Sequence, residues 1–164
     1  MFLRRPEDLT SRAGRLYDEH GAALYRYALM LLANGSAADD VIQQVFSVLL
    51  KRGPAVIDNE AHYLRRAVRN ECYSVLRVRV RRAECPIDEP LLESAAATGS
   101  DRPDERLALE RAIRDLTPEQ REVIHMHVYE GRTFQEIADA LEESINTVAS
   151  RYRYAIARLR QILE

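Results

Sequence analysis

Two stretches of the chain hold side chains whose types and spacing could do chemistry. Arg66, Asn70, Tyr73 and Arg77 follow one another at i, i+4, i+7 and i+11, which stacks them in one stripe along a helix. Two guanidinium groups and a carboxamide interleaved with a phenol ring can pair charge, hydrogen-bond and stack. A solvated basic helix face is the plain alternative. The second stretch holds Asn146, Thr147, Ser150, Arg151 and Arg153, an amide, two hydroxyls and two arginines, the groups that reach base edges and phosphates. A third polar set, Asp39, Asp40, Gln43 and Gln44, reads by itself as a capped and solvated helix start.

None of these sets is equipped to make or break bonds. No Gly-rich phosphate loop, activated nucleophile or carboxylate pair with an acid-base partner is present in the sequence. His125 and His127 are two apart, which turns them roughly 200° from one another on a helix and makes a poor metal pair. Cys72 and Cys85 lack the partner spacing of a disulfide framework or a cysteine-based zinc site and read as ordinary thiols. The chain is not expected to be an enzyme or to hold a cofactor or metal.

The elements that position these side chains are helices. Six Gly and six Pro in 164 residues, with 46% hydrophobic residues recurring at three- and four-residue intervals, predict an all-α chain with real cores. Leu16, Leu24, Ala28, Leu31 and Leu32 mark a first helix from about 12 to 33, with Asn34-Gly35 as its stop. Ser36, three residues before Asp39, predicts a cap that leaves Asp39 and Asp40 in the first turn of a second helix. Val41, Ile42, Val45, Val48 and Leu49 form its apolar side. After a connector, Gly53 to Asn59, a third helix buries Leu64, Ala67, Val68, Val75 and Leu76 behind the basic stripe. Residues 83 to 103 combine three prolines with small and acidic residues and read as a flexible linker. Thr117-Pro118-Glu119-Gln120, Thr133-Phe134-Gln135-Glu136 and the weaker Ser144-Ile145-Asn146-Thr147 then start three helices after an amphipathic run, Leu107 to Leu116.

Two small helical domains follow, 1–82 and 104–164, joined by 83–103. Their charges differ: 14 basic against 9 acidic residues in 1–82, 1 against 5 in the linker, and 9 against 12 in 104–164. The net charge of -2 therefore hides a basic piece, an acidic connector and a mildly acidic piece. No apolar run approaches the roughly 18 to 20 residues that cross a bilayer, and Met1 to Pro6 lacks the pattern of a secretory signal. A cytoplasmic protein without membrane insertion is expected.

A short helix with Ile137, Ala138 and Leu141, a tight turn, and a longer helix with Val148, Tyr152, Ala155 and Leu159 make a helix-turn-helix pattern. In such a motif the second helix enters the major groove, with Asn146, Thr147, Ser150, Arg151 and Arg153 at base edges or phosphates. A plain helical hairpin is the alternative.

Leu116 to Val123, Tyr129 to Ala138 and Asn146 to Arg151 resemble the fourth conserved region of extracytoplasmic-function sigma factors of the sigma-70 family. Ala38 to Phe46 resembles the family's polymerase-docking helix, and Tyr63 to Asn70 its promoter-melting helix. The resemblance implies an alternative sigma factor that binds core RNA polymerase and promoter DNA, with an anti-sigma factor as a further candidate partner. It places Asp39, Asp40, Gln43 and Gln44 against the polymerase clamp helices and makes Gly53 to Asn59 the loop that captures a flipped minus-ten base. Tyr63, Arg65, Arg66, Arg69, Asn70, Tyr73 and Arg77 would hold the opened minus-ten strands, and Asn146, Thr147, Ser150, Arg151 and Arg153 the minus-thirty-five element. The acidic linker would thread toward the RNA exit path. The chain departs from the family pattern at Tyr63, usually Trp; Gln44, commonly an acid; Glu142, commonly Gly; and Ala149, commonly Lys. A helix-turn-helix regulator acting without core polymerase, and a degenerate sigma-like interaction module, are the rival readings.

Overall fold

The computed structural model describes residues 6–52, 57–82 and 103–163. Residues 53–56 of the connector, the linker up to residue 102, and Cys85 lie outside the described residues. The chain divides into two compact units, Met1–Asp88 and Glu89–Glu164, and among the described residues their regular secondary structure is helical.

Unit 1 packs three helices against one another: α1 (Pro6–Leu32), α2 (Gly35–Arg52) and α3 (Glu60–Arg82). The first helix begins six residues earlier than its apolar stripe suggested. All five apolar residues expected on its inner face are buried, joined by Tyr27 at 1% exposure. Each of the leucines among them contributes about 1.5–3 kcal/mol by leaving water. The turn into α2 also departs from expectation. Ala33 takes the left-handed conformation at φ 51, so the chain reverses one residue sooner and Asn34 becomes the cap, its Oδ1 accepting the Ala37 N–H at 2.7 Å. Ser36 is therefore inside the helix rather than capping it, and no acid falls in its first turn. Asp39 and Asp40 stand exposed one turn further on.

Asn59 starts α3 by accepting the His62 N–H at 2.9 Å. Leu64, Val68 and Cys72 are its buried residues; Cys72 takes the central place, while Ala67, Val75 and Leu76 are half-buried. The ends of α3 are tied to α1. Glu60 accepts from Arg12 Nε at 3.0 Å and from Arg15 Nη2 at 3.2 Å, and the Arg12 hydrogen bond, with help from Arg15, holds the Glu60 carboxyl below its ordinary value. At the far end Arg79 Nη1 donates to the Leu32 carbonyl at 3.1 Å, closing the C-terminus of α1.

Unit 2 holds α4 (Pro103–Arg114), α5 (Pro118–Ile124), a π-helical turn (His125–Tyr129), α6 (Phe134–Leu141) and α7 (Ile145–Leu163). The expected starts are all present. Thr117 with Gln120, and Thr133 with Glu136, make reciprocal capping boxes, and Ser144 Oγ accepts the Thr147 N–H at 3.0 Å. Arg121 is buried, with Nη1 donating to the Leu116 carbonyl at 2.7 Å, so this arginine closes the end of α4. Val123, Met126, Ile137, Ala138, Leu141 and Val148 form the core, covered by Phe134, Ala140 and Tyr152. The π-turn sends its two histidines to different partners. His125 is buried beside Glu130 at 3.3 Å, whereas His127 lies among Phe134 and Tyr152 with centroids 4.7 and 4.8 Å away.

Candidate nucleic-acid interface

In unit 1 the sequence stripe exists as a surface. Arg66, Asn70 and Arg77 are exposed, and Tyr73 is half-buried with the Arg69 guanidinium 4.7 Å from its ring centroid. That contact fixes the ring while the guanidinium keeps its charge. Arg65 is placed differently, its guanidinium 4.6 Å from the centroid of the buried Tyr27 ring, so it belongs to the packing between α1 and α3. Tyr63 is 36% exposed at the start of α3.

Between α2 and α3 runs a groove of about 350 Å³. Val45, Val48 and Ala67 give it an apolar floor; Tyr63, Arg66, Asn70, Glu71 and Gln44 supply its polar wall. The structure thus brings Gln44 to the residues of the basic stripe. Asp39, Asp40 and Gln43 stay on the exposed outer side of α2 and do not line the groove. Of the connector, only Ile57, Asp58 and Asn59 are described, so its base-capturing role falls largely outside the described residues.

In unit 2 the turn between α6 and α7 has a specific geometry. Glu142 takes the left-handed conformation, φ 56 and ψ 40, and the Glu143 N–H bonds back to the Ala138 carbonyl at 3.0 Å, a Schellman ending. Left-handed backbone is what Gly adopts without penalty. Arg151 then reaches back across the turn, its Nη2 3.0 Å from Glu143 Oε1, with the two side chains 23% and 33% exposed. Asn146 and Arg153 are exposed, and Thr147 and Ser150 half-exposed. Asn146, Thr147, Ser150, Arg151 and Tyr154 of α7 face Thr117, Glu119 and Gln120 of α5 across an open cleft of about 590 Å³. Two features of this face went unnoticed in the sequence: the Glu143 partner of Arg151, eight residues away, and Tyr154. The i+4 spacing of Tyr154 from Ser150 was the available signal for the latter.

Residues 16–82 match the family model of Sigma-70 region 2, and residues 112–161 that of Sigma-70, region 4. The chain is 32% identical over 157 residues to the ECF RNA polymerase sigma factor SigL of Mycobacterium tuberculosis, covering 91% of this chain and 87% of that protein. It belongs to the extracytoplasmic-function sigma factors. A second relative, the RNA polymerase sigma-E factor of Streptomyces coelicolor, is 31% identical over 143 residues, covering 86% and 80% of the two chains. Among solved structures, the sigma factor RpoE of Bartonella quintana, determined in complex with the anti-sigma factor NepR, aligns with a TM-score of 0.61 and 26% identity over 86% of this chain and 89% of that one.

Membership gives the chain the function of an alternative sigma factor, directing RNA polymerase to promoters for transcription initiation. The departures from the family pattern now have physical locations. Glu142, at the position the resemblance gives commonly to Gly, takes the left-handed conformation, so its side chain bears a backbone cost. Ala149 is half-exposed on the first turns of α7 and places no cation there. Tyr63 and Gln44 both line the groove of unit 1. Among the described residues no helix is long and apolar enough to cross a membrane, and no cluster of His, Cys, Asp and Glu could hold a metal ion.

Proposed function

We propose that the two units divide the work of a sigma factor, with 1–82 binding core polymerase and opening the minus-ten region, 83–103 linking, and 104–164 reading the minus-thirty-five element. The stripe of exposed Arg66, Asn70 and Arg77 with the half-buried Tyr73, beside the groove, carries this reading. It offers cations for phosphates and rings for unstacked bases along one helix, which is how single strands are held without reading their sequence. Tyr63 and Asn70 flank the groove, whose size and amide lining suit a single base; Arg69 positions Tyr73, and Arg65 positions α3 itself.

Asp39, Asp40 and Gln43 face solvent together and form the docking surface for a basic region of core polymerase. Gln44 joins the groove instead of that surface. In unit 2, Asn146, Thr147, Ser150 and Arg153 contact duplex DNA, and Arg151 braces the turn through Glu143. The chain performs no chemical step; opening follows from capturing bases as the duplex breathes. It acts in the cytoplasm with core RNA polymerase and promoter DNA, and an anti-sigma factor is a third partner suggested by the Bartonella quintana relative's complex.

The test is transcription with purified core polymerase on promoters recovered by sequencing the DNA that the holoenzyme binds. Asp40→Lys with Gln43→Ala weakens assembly by about 2 to 5 kcal/mol if the contact is desolvated, with helicity unchanged. Equal competition by the variant and the parent for core polymerase removes the docking assignment, and transcription from these promoters that does not depend on the added chain removes the division of labour.

A further inference from the structure

The start of α3 stands clear of the rest of unit 1. From Asp58 to Tyr63 each residue is exposed except Glu60, and full burial begins at Leu64. The first turn of a helix has N–H groups without intrahelical partners and frays when nothing outside it holds it. Here the Asn59 side chain accepts the His62 N–H, and the Asn59 carbonyl accepts the Tyr63 N–H at 3.0 Å. Those bonds shape the turn without fixing it to its neighbours.

Glu60 makes that connection. Arg12 of α1 brings Nε to 3.0 Å and Nη2 to 2.8 Å from Glu60 Oε1, and Arg15 Nη2 lies 3.2 Å from Oε2. Both carboxylate oxygens are thus engaged by arginines three residues apart on one helix. The Arg12 and Glu60 side chains are 21% and 25% exposed, so this contact is drier than an ordinary surface pair. The Arg12 hydrogen bond also holds the Glu60 carboxyl below its ordinary value, and the tie stays charged at neutral pH. What it holds in place is Tyr63, three residues on, whose side chain lines the groove with Arg66 and Asn70. In a frayed turn that ring has to be ordered as a strand arrives, and the ordering is subtracted from the binding energy.

We infer that Glu60 is a positioning residue for promoter opening: through Arg12 and Arg15 it fixes the first turn of α3, so that Tyr63 is already in place when an unpaired minus-ten base arrives. This rests on the reading that the groove of unit 1 takes such a base, and it assigns the residue that readies the groove. Glu60 faces α1 and does not line the groove, so its effect on DNA passes through Tyr63.

The experiment uses the full-length chain assembled on core polymerase and a promoter recovered with the parent holoenzyme, offered either closed in the cold or with its minus-ten region already unpaired. Equilibrium binding is measured for Glu60→Gln, for Tyr63→Ala and for the two together. The expected result is that Glu60→Gln weakens binding to the unpaired promoter roughly fivefold, the size set by a partly exposed ion pair, while closed-duplex binding and competition for core polymerase stay at the parent's values. Arg12→Gln with Arg15→Gln removes the tie from the other side and gives the same loss. In the Tyr63→Ala background Glu60→Gln adds nothing further, as for two residues acting on one contact. Parental binding of the unpaired promoter by Glu60→Gln, where Tyr63→Ala binds it weakly, overturns the role of Glu60 alone. A loss that also appears in the competition for core polymerase, or that multiplies with the loss from Tyr63→Ala, makes the ion pair a prop for the whole unit and overturns it too. If Tyr63→Ala binds the unpaired promoter like the parent, the reading of the groove falls, and the role of Glu60 with it.

Discussion

The helix α3 carries seven arginines in 23 residues and α7 four in 19, yet the two hold their guanidinium groups in different ways. On α3, Arg65 and Arg69 lie over tyrosine rings and Arg79 meets a backbone carbonyl. Rings and carbonyls orient a guanidinium without themselves carrying a formal negative charge. On α7, Arg151 and Arg158 face carboxylates, Glu143 at 3.0 Å and Asp115 at 3.5 Å, and each pair is neutral in sum, while Arg153 lies near a ring, 5.9 Å from the Tyr154 centroid. The difference matches the surrounding charge, 14 basic against 9 acidic residues in 1–82 and 9 against 12 in 104–164. On the proposed division of labour, unit 1 would grip strands through phosphates whatever their sequence, and unit 2 would depend more on amides, hydroxyls and the turn that aims them, gaining selectivity at the expense of electrostatic affinity.

The largest effect expected from this contrast is in the salt dependence of opening. Arg66→Ala with Arg77→Ala removes two phosphate contacts to a single strand, which lowers the salt slope by about 1.4 and reduces permanganate-reactive open complex at least tenfold. Arg151→Ala with Arg158→Ala, the matched pair on α7, leaves the slope close to the parent's. Equal slope changes for the two pairs would erase the distinction between the helices. A smaller effect separates bracing from binding at Arg151. Glu143→Gln releases its guanidinium and strengthens duplex binding a few-fold at low salt, whereas Arg151→Ala lowers the stability of unit 2 by about 1 kcal/mol or less, the usual worth of a partly exposed pair. Weaker duplex binding by Glu143→Gln at unchanged stability would contradict this order of roles. Ala149→Lys adds a cation at the groove-facing start of α7, and its gain of a few-fold at low salt shrinks as salt rises.

Much of this architecture is written in local signals. The capping boxes at Thr117 and Thr133, the buried faces of α1 and α6, and the stripe on α3 follow from side-chain type and helical period alone, and the structure contains them. The Asn34 cap was harder to read because it depends on a left-handed Ala33, a conformation that alanine's sequence neighbours do not announce. The same holds for the π-turn at His125–Tyr129, which inserts a wider turn where the periodicity continues without a break. Long-range pairings were beyond reach for another reason. Arg65 and Arg66 are adjacent cations in sequence, and only the packing of α1 against α3 decides that one lies over Tyr27 while the other lines the groove with Gln44. Arg151 likewise looks like a free reader until the Schellman turn brings Glu143 beside it.

The smallest expected effect concerns that turn, and it distinguishes backbone strain from charge. Glu142 has φ 56 and ψ 40, where a side chain's Cβ crowds the following carbonyl and costs roughly 1–2 kcal/mol that Gly does not bear. Part of this is returned to the unfolded state by the greater freedom of Gly, so Glu142→Gly should stabilise unit 2 by about 0.5–1 kcal/mol. A higher urea midpoint at unchanged denaturant slope is the signature. Glu142→Ala removes the same carboxylate and keeps the strain, so the difference between the Gly and Ala midpoints reports the backbone strain alone. Both variants remove one negative charge near the start of α7 and should improve duplex binding equally at low salt. If Ala stabilises as much as Gly, the left-handed backbone carries no cost here and the carboxylate itself opposes folding. If Gly binds duplex better than Ala at matched salt, relief of the turn also improves the aim of α7, and unit 2 then owes its DNA affinity to geometry more than to charge.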